Sequence, residues 1–384
     1  MPKTGYDILI IGGGIYGCGI AQAVSACGYK TVLIEQNTIA SGTSSQSTKL
    51  IHGGLRYLEQ FNFKLVYEAL NERELLLKNA PDLVAREWFY IPVYKHSKRP
   101  PLIIWCGLFL YYILSRGRSK FKWVNKETWA EMQPEFNLDN LKAVLAYEDA
   151  ATDDAALTRA VAKSAQTMGC SIIEEVSLVS AKYEQGCWYV KLSNGEALTS
   201  KLLINASGAW VNQVSRWITP QPPTVDVQLV QGSHLMLNRP CSAYIYTESL
   251  DGRVMFFRPW KGKTLAGTTE TSFVGNPSDI VATQKEVQDI LASYNHYFPS
   301  SPCQESDIEH VYCGLRVLPV AKGEAFETKR ETIILEGGKE CQGYIAVYGG
   351  KLTTYRREAD RVLKRIKSML KAPKLRSTKE IPLG

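Results

Sequence analysis

Apolar residues form short continuous runs near the N-terminus of the sequence. Residues 6–11 (YDILII) and 31–34 (TVLI) are rich in aliphatic side chains, and runs of this length are typical of strands buried on both faces of a sheet. The segment between them, which includes IAQAVSACG, has the composition of a helix. The pattern therefore predicts a strand–helix–strand unit, the start of a parallel sheet covered by helices.

Further along the chain, apolar positions alternate with polar ones. Alternating segments at residues 188–192, 227–229, 234–237 and 254–257 predict strands with one buried face. Such alternation is typical of antiparallel sheets, whereas the N-terminal unit is typical of parallel ones. We therefore expect an α/β chain: a doubly wound, Rossmann-like domain with an inserted domain built on an antiparallel sheet.

The expected nucleotide-binding domain is discontinuous, because a glycine cluster at residues 348–355 (YGGKLTTY) lies far from the N-terminal unit. We expect residues 1–90, 150–215 and 310–384 to form this domain. Residues 91–149 and 216–309 are then expected to form the substrate domain.

The most apolar stretch is residues 102–114 (LIIWCGLFLYYIL), which carry no charge. A stretch this short cannot span a bilayer, for which about 18 residues are needed, and it more often forms a core helix. We therefore expect a core helix here. The alternative is a helix at a membrane interface, because basic residues flank the stretch: Lys95, Lys98, Arg99, Arg116, Arg118 and Lys120.

A dinucleotide fingerprint follows the first predicted strand. Gly12, Gly14 and Gly17 have G-x-G-x-x-G spacing, and Glu35 ends the second strand. The glycines permit a tight turn, a close approach to a pyrophosphate and close helix packing, while the acid accepts hydrogen bonds from a ribose. Strand, glycines, helix, strand and acid in this order are specific for nucleotide binding.

Two further segments rich in small residues favour FAD over a nicotinamide cofactor, although the strand order alone leaves both open. Residues 202–210 (LLINASGAW) run from a strand into a glycine turn, and residues 348–355 open a helix with glycines. Three separated segments of exposed backbone suit a long cofactor threaded through the domain.

Seven stretches of the sequence resemble bacterial FAD-dependent glycerol-3-phosphate dehydrogenases of the D-amino-acid-oxidase-like flavoprotein family. They are GGGIYGCGIA, SGTSSQSTKLIHGGLRYLE, INASGAWVNQ, QGSHLML, GTTET, YCGLRVLP and YGGKLTTYR. The resemblance runs from about residue 5 to the C-terminus, and KLIHGGLRYL with GGKLTTYR is specific to the glycerophosphate branch. It implies FAD bound to a Rossmann-like domain interrupted by a substrate domain.

The fingerprint and the resemblance together imply a set of FAD contacts. These are Gly12, Gly14, Ile15, Tyr16, Gly17, Glu35, Gln36, Ser41, Thr43, Ser44, Ser45, Lys49, Leu50, His52, Gly53, Val176, Ala206, Ser207, Gly208, Trp210, Gly314, Arg316, Gly350, Lys351, Leu352 and Thr353. Cys313 stands where the family usually has Ser, so covalent attachment of the flavin through this thiol is left open.

The resemblance also implies a site for glycerol 3-phosphate, whose dianionic phosphate requires fixed cations. The implied substrate contacts are Arg56, Tyr57, His234, Thr269, Arg316, Arg330 and Lys351. The implied catalytic residues are His234, His52, Lys351 and Arg316. Either histidine could take the C2 hydroxyl proton, and Lys351 could also stabilise negative charge on the reduced flavin.

The implied reaction is hydride transfer from C2 of sn-glycerol 3-phosphate to flavin N5, which yields dihydroxyacetone phosphate and passes electrons to a quinone. Dioxygen as the acceptor, or an amine or another hydroxy acid as the substrate, stays open. A flavoprotein without catalysis, acting as a sensor or assembly partner, is the alternative from another class. The cations Arg56, Arg316 and Lys351 with His234 argue against it.

The sequence departs from the family pattern in three places. Residues 316–319 read Arg-Val-Leu-Pro instead of Arg-Pro-Leu, so we expect a looser backbone and a shifted Arg316. Arg330-Glu331 replaces an Arg-Asp pair. The sequence also ends at EIPLG, where family members usually continue into a C-terminal helical domain.

Composition narrows the class of partner. The 384 residues suit two domains, and their net charge of +7 favours an anionic substrate or a membrane surface. No nucleic-acid-binding module or metal-ligand spacing occurs. Nine scattered cysteines and an N-terminus without a secretory signal predict a cytoplasmic enzyme, with attachment to the inner membrane face and homo-oligomer formation left open.

Overall fold

The computed structural model describes residues 5–320 and 332–383. Its α-helices are α1 (Ile15–Ala26), α2 (Phe63–Asn79), α3 (Pro101–Leu114), α4 (Lys126–Met132), α5 (Asp154–Thr167), α6 (Val211–Ser215), α7 (Gln284–Tyr297) and α8 (Tyr355–Met369).

The strands follow in chain order: β1 (Gly5–Ile11), β2 (Thr31–Ile34), β3 (Leu50–Ile51), β4 (Val84–Tyr94), β5 (Phe121–Val124), β6 (Leu141–Thr152), β7 (Ser171–Ile173), β8 (Leu178–Glu184), β9 (Cys187–Leu192), β10 (Ala197–Asn205), β11 (Ile218–Thr219), β12 (Val227–Leu237), β13 (Tyr244–Glu248), β14 (Val254–Trp260), β15 (Lys263–Gly267), β16 (Thr271–Phe273), β17 (Ile308–Pro319), β18 (Ile333–Glu336) and β19 (Tyr344–Tyr348).

The first sheet is the predicted doubly wound sheet. Strand β1 lies between β2 and β10, and all three run parallel with β7 and β19, whereas β8 and β9 form an antiparallel extension. Ile8 and Ile10 pack under α1, α5 and α8, and Leu9 and Ile11 face the core on the opposite side. This two-sided burial explains why the run at residues 6–11 is continuously apolar rather than alternating.

The second sheet is the predicted antiparallel sheet. Its order is β16-β12-β15-β14-β13-β4-β6-β3, and in addition β17 pairs with β12 and β5 pairs with β6. Among the described strands of this sheet, β4 and β13 form the one parallel pair, and the other pairs are antiparallel. Strands β12 and β17 pair along nearly their whole length, which sets Gly232 opposite Gly314 and His234 opposite Tyr312. The strands expected at residues 227–229, 234–237 and 254–257 lie in this sheet, and the strand at 188–192 lies in the first.

The predicted domain boundaries stay a prediction, because strand pairing assigns strands to sheets and not residues to domains. By pairing, β3 and β17 belong to the second sheet, although they fall in segments expected in the nucleotide-binding domain.

The apolar stretch at residues 102–114 forms a helix, α3, but the expectation of a core helix is wrong. Only Leu108 and Tyr111 on it are buried, whereas Leu102 is 68% exposed and Ile103 58% exposed. The helix is apolar on all sides, but only the narrow face with Leu108 and Tyr111 packs against the rest of the protein. Length and composition therefore predicted burial for side chains that are exposed. No helix in the described ranges is long and apolar enough to cross a membrane.

A buried ion pair joins the start of α5 to the residue before β3 of the second sheet. The Nζ atom of Lys49 lies 2.6 Å from Oδ1 of Asp154, and both side chains are at most 2% exposed. The same ammonium donates to the carbonyl of Ser45 at 2.9 Å and lies over the rings of Trp260 and Tyr312. The extra donors and the two rings offset the cost of removing these charges from water.

We expect the Lys49→Met substitution to lower the free energy of unfolding by about 3–5 kcal/mol, because it leaves the buried Asp154 carboxylate without its cation. The measurement is urea unfolding of the purified protein. In the matched control, Lys182→Met, the lost pair with Glu184 is exposed, so the change should stay within about 1 kcal/mol. Equal effects of the two substitutions would contradict the role given to Lys49.

Candidate active site

A groove of about 490 Å³ lies at the carboxyl ends of the central strands of the first sheet. This is the place where open α/β sheets bind their ligands. The predicted cofactor residues that line it are Gly12, Gly14, Glu35, Gln36, Ser41, Thr43, Ser44, Val176, Ala206, Ser207, Gly208, Trp210 and Gly314. The groove therefore collects predicted residues from the fingerprint, the segment of residues 35–44, the turn at 206–210 and β17, whereas residues 49–53 and the C-terminal cluster do not line it.

The fingerprint glycines are required by close backbone packing. Gly12 has φ of +109°, and a Cβ atom there would lie 2.6 Å from the carbonyl oxygen of Ala206. A Cβ atom on Gly17 would collide with the carbonyl oxygen of Gly12. Larger residues at either position would move the start of α1 away from β1, and with it the amides that face a pyrophosphate.

The Glu35 carboxylate is held in an orientation in which it can accept hydrogen bonds from ribose hydroxyl groups. Its carboxylate accepts a hydrogen bond from the amide of Gly13 at 2.6 Å and one from the amide of Asn37 at 3.0 Å. The side chain is half-buried and lines the groove directly after β2. Two backbone donors fix the carboxylate while leaving lone pairs for hydroxyl groups.

The small polar residues after Glu35 connect the groove to the second sheet. Ser44 Oγ accepts from the amide of Ile15 at 2.9 Å, and Thr43 Oγ1 donates to the carbonyl of Leu315 at 2.9 Å. Gln46, which sequence patterns did not single out, accepts from the amide of Cys313 at 3.1 Å and lines the groove. Gln46 directly follows Ser45 and precedes Lys49 by three residues, and both of these were predicted cofactor contacts. Its place in this segment is the feature of the sequence that could have identified it.

The C-terminal glycine cluster packs against the fingerprint helix instead of lining this groove. A Cβ atom on Gly350 would collide with the ring of Tyr16, whose hydroxyl accepts from the amide of Lys351 at 2.8 Å. Burial raises the pKa of Tyr16 to about 12, so the hydroxyl stays protonated. Thr353 Oγ1 accepts a hydrogen bond from the amide of His52 at 3.2 Å, which connects the C-terminal cluster to the HGG turn at residues 52–54.

The remaining predicted cofactor residues lie near the groove without lining it. They are Ile15, Tyr16, Gly17, Ser45, Lys49, Leu50, His52, Gly53, Arg316, Gly350, Lys351, Leu352 and Thr353. Lys49 is committed to the ion pair with Asp154, and Leu50 forms part of the core beside the second sheet. Their contacts with a cofactor stay predictions.

Lys351 borders a second, polar cavity of about 230 Å³. Basic residues from α2 and α8 share this lining, among them Lys64, Arg357 and Arg361. The Nζ atom of Lys351 lies 3.7 Å from the centre of the Tyr57 ring, in contact with its face. The structure thus places the predicted pair Tyr57 and Lys351 side by side.

His234 is buried and surrounded by positive charge. Its Nε2 atom lies 2.8 Å from Thr48 Oγ1, and its Nδ1 atom has no hydrogen-bond partner among the described residues. Burial is the larger cause and the charges of Arg316, Lys49 and Arg258 add to it, and together they lower the pKa of His234 to about 3. The imidazole is therefore neutral at physiological pH and presents an unused nitrogen.

His52 is anchored close to His234. Thr48, the hydrogen-bond partner of His234, precedes His52 by four residues, and an extended chain of that length spans at most about 14 Å. The side chain of His52 is half-buried, whereas that of His234 is 3% exposed. One short segment therefore positions both predicted catalytic histidines.

The predicted phosphate-binding arginines differ in their partners. Arg316 donates to Glu270 Oε1 at 3.0 Å and to the carbonyl of Thr269 at 2.8 Å. Half-buried Arg56 makes no hydrogen bond or ion pair within the described chain. Arg330 lies outside the described residues. Arg56 is thus a cation whose donors are available to an anion.

The structure shows the surroundings of Arg316 and Thr269, for each of which the sequence led to an expectation. Arg316 was expected to shift on a loosened backbone, but β17 runs in register with β12 through Pro319, so the displaced proline does not break the strand. Thr269 is fully buried, and its hydroxyl donates to Glu286 at 2.6 Å and accepts from Ser233. This hydroxyl is engaged within the protein, and its predicted contact with substrate stays untested.

Cys313 lines the groove beside Gly314. Burial raises the pKa of its thiol, although a hydrogen-bonding contact with Ser233 acts in the opposite direction. A thiol with a raised pKa is a poor nucleophile near neutral pH. Among the described residues, no cluster of histidine, cysteine or acidic side chains could hold a metal ion.

The fold and the groove define a class of protein: a two-sheet oxidoreductase that binds an extended dinucleotide flavin. Residues 7–356 match the family described as FAD dependent oxidoreductase (DAO), and the chain belongs to this family. FAD is accordingly its cofactor, and the glycine turn, Glu35 and the segment after it fit an FAD pyrophosphate and ribose.

The chain is similar over most of its length to several named enzymes. D-erythritol 1-phosphate dehydrogenase of Brucella abortus (strain 2308) is 36% identical, with 95% of this chain and 74% of the relative covered. Glycerol-3-phosphate dehydrogenase of Pseudomonas tolaasii is 35% identical, with 92% and 70% covered. The structure of glycerol-3-phosphate dehydrogenase from Bacillus halodurans complexed with FAD aligns with a TM-score of 0.78 at 29% identity, covering 100% of this chain and 68% of that one.

We expect the stability of the protein to depend on pH through His234. The pKa of this imidazole is about 3 in the folded protein against 6.5 for an ordinary histidine, so between these pH values the unfolded chain binds a proton that the folded chain does not. This contribution is complete above about pH 6.5 and is lost as the pH falls towards 3, at up to about 1.4 kcal/mol per pH unit.

The measurement is urea unfolding of the wild-type protein and the His234→Gln variant at pH 7 and pH 5. The loss of stability between these values should be smaller in the variant by about 2 kcal/mol. His296→Gln, at an exposed position of α7, serves as the control and should follow the wild type. Superimposable curves for His234→Gln and wild type would show that His234 titrates normally.

Proposed function

We propose that this enzyme oxidises sn-glycerol 3-phosphate to dihydroxyacetone phosphate. The observation that carries the proposal is a half-buried arginine without a protein partner, Arg56, on the segment that also anchors both histidines. A site of this kind suits a small polyol that carries a phosphate. The names of similar enzymes, which refer to glycerol 3-phosphate and D-erythritol 1-phosphate, support the same substrate class.

Cations from three parts of the chain would hold the phosphate. Arg56 follows the HGG turn, Arg316 lies on β17, and Lys351 begins the turn before α8. Arginine binds phosphate oxygens through two parallel hydrogen bonds, and lysine adds a compact charge. A carboxylate or amine substrate needs fewer cations, so this charge distribution favours a phosphorylated substrate.

We assign different roles to the two histidines. A base works best when its pKa is near the working pH, and the environment of His234 holds its pKa near 3. His52 therefore takes the proton of the C2 hydroxyl, while neutral His234 orients the substrate with its unused Nδ1 atom. Bound FAD supplies the acceptor for the hydride that leaves C2.

Lys351 has a second role on the cofactor side. The face of Tyr57 restricts the position of its ammonium group. A cation held at the junction of the cofactor and substrate segments stabilises negative charge that develops on the flavin during reduction. Lys351 thus belongs to both the phosphate site and the redox site.

The substrate assignment is tested by anaerobic reduction of the purified yellow protein. We expect glycerol 3-phosphate to bleach the flavin absorbance rapidly, whereas glycerol, which lacks the phosphate, should bleach it at least about 100-fold more slowly. D-erythritol 1-phosphate is the comparison substrate for the named relative. A flavin that stays oxidised with both phosphates, yet is bleached by an amine or a hydroxy acid, would overturn the assignment.

The histidine roles are tested in the same assay. His52→Ala and His234→Ala should each lower the rate of flavin reduction by about 100-fold or more, whereas His296→Ala on the exposed side of α7 should leave it unchanged. Equal, small losses in all three variants would remove the histidines from the chemical step.

We propose a quinone in the membrane as the electron acceptor, with α3 as the membrane-facing element. Leu102, Ile103, Phe109 and Ile113 on α3 are between 44% and 68% exposed, and exposed apolar patches of this kind bind partners or membranes. Basic residues beside the helix, including Arg116 and Lys120, suit an anionic lipid surface. Dioxygen is the alternative acceptor, and release of hydrogen peroxide in air would identify it.

We expect the protein to float with vesicles that contain anionic lipid and to remain at the bottom of the gradient with neutral vesicles. Reversing two charges beside α3, Arg116→Glu with Lys120→Glu, should abolish flotation because the surface then repels anionic lipid. The matched control reverses charge at the exposed Lys191 on β9. Flotation that is unaffected by the α3 substitutions, or absent in the wild type, would reject α3 as the contact.

A further inference from the structure

A fully buried polar cluster lies behind the HGG turn. Arg73 on α2, Tyr111 on α3 and Asp149 on β6 are each at most 1% exposed beside a cluster of apolar side chains. Arg73 also pairs with Glu74 at 2.7 Å. Buried charges and hydroxyl groups destabilise a core unless all of them are paired. Each member of the cluster is paired, so its hydrogen bonds define the relative positions of α2, α3 and β6.

The hydrogen bonds of the cluster end at the active-site turn. Asp149 accepts from Arg73 Nη1 at 2.9 Å through Oδ1 and from the Tyr111 hydroxyl at 2.7 Å through Oδ2. The amide of Gly53 donates to the Tyr111 oxygen at 2.9 Å. Burial, followed by the charge of Asp149, raises the pKa of Tyr111 well above its usual value, so its hydroxyl remains a donor to the carboxylate.

Gly53 is pressed against this hydroxyl. A Cβ atom at Gly53 would collide with the Tyr111 oxygen and with the side chain of Leu70. Gly53 follows His52 directly and precedes Arg56 by three residues. The position of the Tyr111 oxygen thus sets the position of the backbone that carries both side chains.

The other end of the cluster contacts the end of the exposed helix. Tyr111 is one of only two buried residues on α3, and Arg73 Nη2 donates to Ser119 Oγ at 2.7 Å, just beyond the helix. The helix therefore rests on the same side chains that hold the turn. A displacement of α3 would reach Gly53 through the Tyr111 hydroxyl, which is the shorter of two contacts of the Gly53 amide, the other being with Asp149 Oδ1 at 3.4 Å.

We propose that Tyr111 is a positioning residue that couples the exposed helix α3 to the turn holding His52 and Arg56. It touches neither substrate nor cofactor, and it acts by fixing the amide of Gly53. This inference rests on the proposed function, because the effect is read through the binding of a phosphorylated substrate. Displacements of about 1 Å at reacting groups can lower rates by about 100-fold, so the loss of a single buried hydroxyl is measurable.

The test is the Tyr111→Phe variant of the FAD-loaded protein in anaerobic flavin reduction. We expect kcat/KM for the reducing substrate to fall about tenfold or more, mainly through a higher KM as Arg56 moves, with FAD content unchanged. Tyr147→Phe is the matched control, because this buried ring packs edge-on against Tyr111 and lacks a hydrogen bond to Gly53. A purely structural role would make the two variants alike.

The wild-type protein is assayed first with glycerol 3-phosphate. A wild-type flavin that is not reduced would then show failure of the proposed function, independently of the result for Tyr111→Phe. If another substrate reduces the wild-type flavin, the variant is assayed with that substrate. Wild-type kcat/KM in Tyr111→Phe would overturn the inference. If Tyr111→Phe loses FAD or fails to fold, the Ser119→Ala variant is assayed in its place. This substitution removes the hydrogen bond from Arg73, so kcat/KM should fall two- to threefold. An unchanged kcat/KM would contradict the coupling.

Discussion

The structure depends on one buried cation, the ammonium group of Lys49. It binds Asp154 at the start of α5 and the carbonyl of Ser45, and it lies between the rings of Trp260 and Tyr312. These partners come from α5, from the segment after β2 and from two strands of the second sheet, β14 and β17. Because a charge this deeply buried tolerates little displacement, the pair fixes how the cofactor groove and the substrate side meet.

The segment of residues 43–56 carries the consequences of that constraint. Its first part closes the groove through Ser44, its middle holds His234 through Thr48, and its end presents His52 and Arg56. One stretch of chain therefore carries residues of the groove and of the proposed substrate site. A displacement at one end of this segment would also move residues at the other end. The role inferred for Tyr111 rests on its hydrogen bond with the amide of Gly53, which belongs to the segment.

Electrostatics distinguishes the structural cations from the functional ones. Lys49 and Arg73 have carboxylate partners in the core, at 2.6 and 2.9 Å. Arg316 shares its donors with Glu270, and Arg56 makes no ion pair within the described chain. Burial, followed by the charges of Arg316, Lys49 and Arg258, keeps His234 neutral, and a positive field of this kind favours an anionic ligand.

The sequence predicted the parts of the fold that local patterns determine. The continuous run at residues 6–11, the glycine turn and Glu35 identified the parallel sheet and the groove, because burial on both faces and close backbone packing restrict the residues allowed there. The resemblance further marked Arg56, Lys351 and Tyr57, and the structure brings the last two together.

The parts that depend on distant contacts could not be predicted. Periodicity does not show that α3 exposes its apolar face, since its sequence is apolar all round. The pairing of Lys49 with Asp154 joins residues more than 100 positions apart, and the same holds for the link between Thr48 and His234. No local signal marks which polar residues are brought into the core.

The most direct measurement is the dissociation constant of glycerol 3-phosphate, obtained from the concentration dependence of anaerobic flavin reduction in the wild type and in Arg56→Met. The account predicts that the substitution weakens binding of this substrate about tenfold or more, because it removes the arginine that protein groups leave available for phosphate. It also predicts that slow reduction by glycerol is unchanged. Equal affinity in the two proteins, or equal losses with both substrates, would contradict recognition of the phosphate by Arg56.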